Sequence, residues 1–141
     1  MNATLKKYVE VLNNTNVMAL ATSVDNIPNV RVVNFYYNPE KPHILYFVSD
    51  RADRKVLEFA KNNVIAFTTI PAEGISHARS LRATVRKSAL GYKEFVAALT
   101  GGNRGEEPVI NGNGELLDVY EIFATEAEVV AESGESARII F

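Results

Sequence analysis

Hydrophobic residues near the start of the chain recur at the spacing of an amphipathic helix. The positions that form this stripe are Leu5, Tyr8, Val9 and Leu12, at i, i+3, i+4 and i+7. Asn13-Asn14 is expected to end this helix. The same spacing predicts a second amphipathic helix over residues 89–99, ending at Gly101-Gly102, and a short helix over about 54–62.

Between the predicted helices the hydrophobic runs are short, rich in β-branched and aromatic residues, and separated by turn residues, which is typical of strands. The predicted strands span residues 17–24, 30–37, 44–49 and 63–70, a stretch extending on both sides of 81–86, one or two segments within 119–132 that break at Thr125-Glu126, and 138–141. The turn at 25–29 is too short for the crossover that parallel neighbours need. The pattern therefore predicts antiparallel pairing.

The order of these elements predicts a mainly β, α+β fold. We expect an antiparallel, Greek-key-like barrel or closed sheet with two or three peripheral helices. A chain of 141 residues is long enough to bury one sizeable core, which predicts a single domain over 1–141. Residues 101–115 concentrate glycine, asparagine and charge, and they are expected to form a mobile loop.

The fifth predicted strand alternates between two chemically different faces, as in a sheet with one wet side. The residues expected to face the core are Leu81, Ala83 and Val85. The residues expected to face water, a ligand or another subunit are Ser80, Arg82, Thr84 and Arg86.

The composition argues against several kinds of chemistry. The chain has no cysteine, which excludes disulfides, thiolate nucleophiles and cysteine-based metal sites. Its two histidines, His43 and His77, have no third ligand at metal-binding spacing. No run approaches the roughly 18 apolar residues of a membrane helix, and the first residues lack a signal-peptide pattern. We therefore expect a cytoplasmic protein without a metal site or membrane association.

The formal net charge of −2 conceals an asymmetry along the chain. Up to Gly105 there are 14 Lys and Arg against 8 Asp and Glu, and from Glu106 onwards there is 1 against 9. A basic body with an acidic tail is compatible with nucleic-acid binding, with an anionic small ligand, or with a tail that packs against the body of this subunit or a second one.

Three cations, Arg51, Arg54 and Lys55, surround the start of the predicted short helix. Cations are disfavoured at a helix N-terminus, which carries partial positive charge, unless an anion lies among them. Arg31 in the second strand also needs a partner, and with the hydroxyl of Ser49 these groups would form a phosphate cradle. The alternative is a solvated turn in which nearby aspartates cap the helix and balance the cations.

Residues of about 15–90 resemble the FMN-binding split-barrel family related to pyridoxamine 5′-phosphate oxidase. The motifs that carry the resemblance are VMALATSVDNIPNVRVVNFYY, LYFVSDRADRKVLEFAKNNVIAFT and a strand containing LRATV. The resemblance implies a split barrel that binds FMN in the groove between the subunits of a homodimer. It implies that the cofactor is bound by Arg31, Val32, Val33, Asn34, Val48, Ser49, Arg54 and Lys55. Since a flavin carries the hydride chemistry itself, no side chain is expected to be catalytic.

The chain departs from the pyridoxamine phosphate oxidases at positions that those enzymes use for their substrate. Tyr36 stands where they have a lysine, and the chain has no tryptophan. It also lacks their Arg-x-His clamp and their Ser-Arg-Pro loop, and the family's glutamine near the start of the fifth strand corresponds to either His77 or Ser80. We therefore expect an FMN-dependent oxidoreductase that acts on another small molecule.

Two other classes of function stay open at the level of sequence. One is a flavin-binding or sensory protein without turnover. In this class, as in the oxidoreductase, haem or a deazaflavin could replace FMN. The other is nucleic-acid recognition, which our interpretation disfavours; the residues that it would use are Arg79, Arg82, Arg86 and Lys87.

Overall fold

The computed structural model describes residues 2–100 and 116–141. Its helices are α1 (Ala3–Asn13), α2 (Arg54–Lys61) and α3 (Tyr92–Thr100). Its strands are β1 (Val17–Val24), β2 (Ile27–Asn34), β3 (Tyr36–Tyr37), β4 (Ile44–Asp50), β5 (Val64–Thr69), β6 (His77–Lys87), β7 (Leu117–Ala124), β8 (Glu126–Val130) and β9 (Ser136–Ile140). The loop expected at 101–115, with the helix end expected at Gly101-Gly102, lies outside the described residues.

The strands of the described ranges form one antiparallel sheet that curls into a half-barrel. Its order is β2-β1-β5-β6-β7-β4-β3, with β8 pairing β6 and β9 pairing β8. Although β2 and β4 lie far apart along this order, the curl brings them next to each other. The predicted antiparallel barrel is therefore confirmed, and its curl places β4 beside β2.

The first hairpin is tighter than the sequence pattern predicted. Asp25 and Asn26 adopt φ of 51° and 65°, which is the left-handed geometry of a two-residue hairpin turn. Ile27 consequently pairs with Val24, and β2 begins three residues before the predicted strand. Pro28 is tolerated inside β2 because this strand lies at the edge of the sheet, where a missing amide costs no ladder bond.

The faces predicted for the fifth strand, now β6, are wrong at its centre. The pairing of β5 with β6 shifts register between Ile65 and Phe67, so that Ala83 and Ser80 face them. This bulge places two residues of β6 opposite one residue of β5. As a result Ser80 is buried, with 2% of its surface exposed, whereas Leu81 points outward and is 81% exposed.

Aromatic side chains in the core fix the position of α2. Phe59 packs on Phe47 and Tyr120, with ring centroids 5.8 Å away in each case, and the rings of Phe47 and Tyr120 stack at 5.3 Å. Asp53 caps the N-terminus of α2. The helix therefore starts at a defined point above β1 and β2, and this point carries the predicted cations.

The acidic residues of the C-terminal third pair with cations of the preceding chain. These pairs are Arg51 with Asp118, Arg79 with Glu128, Arg86 with Glu121 and Lys87 with Asp118. The charge asymmetry of the sequence thus corresponds to two parts of one sheet that complement each other. The pairs also neutralise much of the basic surface that the nucleic-acid alternative requires.

A carboxylate joins the loop between β5 and β6 to the hairpin between β8 and β9. Glu132 accepts hydrogen bonds from the backbone amides of Ile75, at 3.0 Å, and Ser76, at 2.9 Å. Gly74 has φ of +71°, and a Cβ at this position would collide with the Glu132 carboxylate. The amides of Ser76 and Ile75 lower the pKa of Glu132, against a smaller desolvation effect.

Replacing Glu132 by Gln should lower the melting temperature at pH 7 and leave it unchanged in acid. Because the folded-state pKa is depressed, the charged carboxyl stabilises the fold above the ordinary pKa of 4.5, and this contribution is lost as the pH falls through the folded value. Differential scanning calorimetry between pH 3 and pH 7 should show the two melting temperatures converging at the acidic end. Glu135→Gln in the same hairpin is the control, and an equal effect there would contradict the assignment.

Candidate functional site

Arg31 points from β2 toward the core side of the sheet, where it is held on several sides. Its Nη1 donates to Oγ1 of Thr22 at 2.9 Å and to the carbonyl oxygen of Leu20 at 3.2 Å. Its Nη2 forms an ion pair with the carboxylate of Glu58 on α2. The Arg31 side chain is 19% exposed, so its charge is both largely desolvated and fixed in direction.

The start of α2 brings a second cation to the same place. The Asp53 carboxylate accepts from the backbone amide of Lys55 at 3.1 Å and lies 3.2 Å from its Nζ. The backbone amide of Lys55 lowers the pKa of Asp53; desolvation opposes this effect, while the Lys55 side chain and the charge of Arg31 add to it. The charges of Lys55 and, more weakly, Arg31 therefore both act on the Asp53 carboxylate. Arg54, beside them, is exposed.

Ser49 and Val48 have different surroundings although they are neighbours in β4. Ser49 is 5% exposed, and its hydroxyl donates to the carbonyl oxygen of Asp50 at 3.0 Å. Val48 packs against a small cluster formed by Tyr36, Phe95 and Val119. Ser49 thus lies at the strand end that leads into α2, whereas Val48 supports the surface under α3.

The predicted residues of β2 fall on two faces. Val33 shares the core side with Arg31 and packs against the hydrophobic core, whereas Val32 and Asn34 point outward. Among the described strands, only β1 is hydrogen-bonded to β2. Alternate backbone amides of an edge strand are free to bind another chain or a ligand.

The outward face of this edge is apolar. Val30 is 64% exposed and Val32 is 63% exposed. Their partners across the pair are Ala21 and Ala19 on β1, whose small side chains leave the surface flat. An exposed apolar strip on an edge strand is typical of a surface that another molecule covers.

Glu58 is the residue of this site that sequence reasoning missed. It accepts from Thr22 Oγ1 at 3.2 Å and from Asn29 Nδ2 at 3.4 Å, in addition to Arg31. Desolvation raises its pKa, but the hydrogen bond from Asn29, the charge of Arg31 and the bond from Thr22 outweigh it and lower the pKa. The only sequence signal was its position three and four residues after Lys55 and Arg54, which places all three on neighbouring helix positions.

The two histidines lie in unrelated environments. The His43 ring lies 5.9 Å from the ring of Phe141, and His77 Nδ1 lies 2.5 Å from the carbonyl oxygen of Ile75. Within residues 2–100 and 116–141, no group of three or more His, Asp or Glu side chains could hold a metal ion. The described helices are also too short and too polar for any of them to cross a membrane.

The chain belongs to the pyridoxamine 5′-phosphate oxidase-like family. Residues 11–136 match this family, a range that contains strands β1 to β8 and every predicted site residue. The family resemblance inferred from the sequence motifs is therefore confirmed. No curated protein matches the sequence.

Solved structures with the same fold have varied functions. A haem-binding protein from Mycobacterium smegmatis superposes with a TM-score of 0.73 and 13% identity, over 99% of this chain and 59% of that one. A protein of the pyridoxinephosphate oxidase family from Clostridium acetobutylicum, related to general stress protein 26, gives 0.69 and 11%, over 97% and 94%. An F420 reductase gives 0.63 and 18%, over 85% and 94%. At these identities the likeness establishes the fold alone.

Proposed function

We propose that this protein is a flavoprotein that binds FMN between the subunits of a homodimer and acts as an oxidoreductase on a small molecule. The observation that carries the proposal is the largely desolvated guanidinium of Arg31, which pairs with Glu58 of α2, on the helix whose first turn also carries Arg54 and Lys55. Two cations held at a helix N-terminus suit a phosphate group, which forms charge-assisted hydrogen bonds to such donors.

The donor set fits a flavin phosphate. Arg54 and Lys55 would bind the phosphate oxygens directly, and the hydroxyl of Ser49 would add a neutral donor at the end of β4 by giving up its bond to the Asp50 carbonyl. Arg31 supplies a largely desolvated positive charge, although its guanidinium also binds Glu58. The cations thus offer a phosphate dianion more positive charge than their carboxylate partners cancel, since Arg54 forms no ion pair with a described residue.

The edge strand β2 fits the planar ring of the cofactor. Its free backbone amides, from Val32 to Asn34, would hydrogen-bond the ring edge, and Val48 would complete the binding residues at β4. When bound, the flavin supplies hydride or electron transfer. The protein holds the phosphate, orients the ring and excludes water, so no side chain has to take part in the chemistry.

The homodimer follows from the same surface. Val30 and Val32 are exposed in one subunit, and a second copy of the chain would cover them together with one side of the flavin. The substrate would enter beside the ring, from the groove between the subunits. Oxidation of pyridoxamine phosphate is not proposed, because Tyr36 replaces the lysine of those enzymes and packs on Phe95 with ring centroids 5.7 Å apart.

Absorption spectroscopy and titration with FMN test the proposal. The protein should show flavin bands as purified or after FMN is added, and Lys55→Met should weaken FMN affinity about tenfold by removing one charge-assisted contact. Lys61→Met, at the opposite end of α2, is the control and should bind FMN normally. Absence of FMN binding, or an equal loss in both variants, would contradict the proposal.

A second candidate is a protein that binds the cofactor without turnover, or that uses haem or a deazaflavin instead. The alternative cofactors are those named for two structures of the same fold, a haem-binding protein and an F420 reductase. Titration with haem and with F420 under the same conditions distinguishes the cofactors. Steady reduction of a quinone or nitro compound driven by NADPH or NADH distinguishes an oxidoreductase from a carrier.

A further inference from the structure

The carboxylate of Glu58 lies among three donors that come from two strands. These donors are the guanidinium of Arg31, the hydroxyl of Thr22 and the side-chain amide of Asn29. Arg31 is itself oriented by Thr22 and by the carbonyl of Leu20. The Glu58 side chain is 16% exposed, so the sheet forms a partly desolvated site for an anion, and a residue of the helix fills it.

A phosphate oxygen and a carboxylate oxygen accept hydrogen bonds from the same donors. The guanidinium of Arg31 is attributed to phosphate binding in the proposed function, yet its Nη2 is directed at Glu58. A second anion near Arg31 would meet repulsion from this carboxylate, since like charges a few ångströms apart in a partly buried site destabilise each other.

The position of Glu58 on α2 allows its carboxylate to adopt a second location. It follows Arg54 by four residues and Lys55 by three, and side chains at these spacings are neighbours on a helix surface. A rotamer change would therefore move the carboxylate from Arg31 toward Arg54 or solvent without moving the helix. After such a change the guanidinium of Arg31 is available to the incoming anion, and the carboxylate of Glu58 is solvated.

We propose that Glu58 is an internal competitor of the cofactor phosphate for Arg31, and that it sets the affinity and the phosphate selectivity of the site. In the cofactor-free protein the Glu58 carboxylate binds the guanidinium of Arg31. When the cofactor binds, its phosphate takes the place of this carboxylate. The inference rests on the proposed function, because it assumes that Arg31 serves a phosphorylated ligand. It assigns to Glu58 a positioning role and no contact with the reacting atoms.

The test compares FMN with riboflavin, which has the same ring but no phosphate. Flavin fluorescence titrations are made on the wild type, Glu58→Gln and Glu128→Gln, each checked for native circular dichroism. Glu58→Gln should bind FMN about tenfold more tightly, the scale of one charge-assisted contact, and riboflavin as before. Glu128→Gln also removes a carboxylate from an ion pair with an arginine, but its partner is Arg79, outside the site, and it should leave FMN affinity unchanged.

Two results would overturn the inference while the proposed function stands. Unchanged or weaker FMN binding by Glu58→Gln would mean that the carboxylate orients Arg31 for the phosphate. An equal gain for riboflavin would mean that the effect does not involve phosphate. If Glu58→Gln does not fold, Glu58→Asp, whose shorter side chain reaches Arg31 less well, should show a smaller gain of the same sign.

Pyrophosphate provides a readout that does not need the flavin. If no variant binds FMN, the proposed cofactor is wrong, and thermal unfolding with added pyrophosphate still tests the competition at Arg31. Pyrophosphate should raise the melting temperature of Glu58→Gln more than that of the wild type, because a ligand that binds the folded state stabilises it. Equal shifts in the two proteins would overturn the inference.

Discussion

Replacing Arg31 by Met should lower the free energy of unfolding by about 3 kcal/mol, the lower end of the range for breaking a buried ion pair. The substitution leaves the Glu58 carboxylate partly buried without its cation and removes the donors to Thr22 and to the Leu20 carbonyl. Urea denaturation of the cofactor-free protein at pH 7 measures the change. The same variant should bind FMN at least tenfold more weakly, by loss of a charge-assisted contact.

The double variant Arg31→Met with Glu58→Leu separates charge burial from packing. It should recover most of the lost stability, because removing both charges of a buried pair is often neutral. Arg54→Met is the matched surface control and should change the stability by less than about 0.5 kcal/mol. If the double variant is no more stable than Arg31→Met alone, the ion pair is not the source of the effect.

Replacing Val30 and Val32 by Lys should convert the proposed dimer to a monomer. Each subunit contributes two apolar side chains, so four leave the interface. At about 1.5 kcal/mol each this costs about 6 kcal/mol, which is roughly ten-thousandfold in the dissociation constant, and the ammonium groups facing their symmetry mates add repulsion. Sedimentation velocity across a range of protein concentrations measures the change. The fold should survive, because lysine on an exposed edge strand is well tolerated.

Leu57→Lys is the matched control for this experiment. Leu57 is 63% exposed, as Val32 is, but it lies on α2 and not on the sheet edge. If the dimer persists in the double lysine variant and dissociates in Leu57→Lys, the interface lies on α2 and not on the edge of the sheet. A wild-type protein that is monomeric at every concentration would remove the homodimer from the proposal.

The structure also shows which carboxylates balance the cations at the start of α2. Asp53 caps the helix and pairs with Lys55, as the solvated-turn alternative expected, but Glu58 and Asp53 both interact with Arg31. The internal charge balance is therefore present, and the phosphate cradle stays a prediction. The proposed cofactor would enter a site whose charges already have partners, and this makes its affinity sensitive to single carboxylates.

The sequence by itself determined the elements and the family. Hydrophobic spacing predicted α1 and α2, and short β-branched runs predicted the strands, because these patterns depend on neighbours a few residues away. The motifs of residues 17–37 and 45–68, together with the strand containing LRATV, indicated the family and the position of the candidate site. The hairpin turn was predicted three residues too long, although Asp25-Asn26 carries a local signal for its position.

Only the tertiary structure decided which charges meet. Arg31 and Glu58 are 27 residues apart, and no local pattern relates them; the curl of the sheet and the packing of Phe59 against the core bring the helix over β2. The bulge in β6 likewise depends on its pairing with β5, and it reverses the faces expected for Ser80 and Leu81. Local propensity sets what each segment becomes, whereas the burial of side chains between distant segments sets which residues share a site.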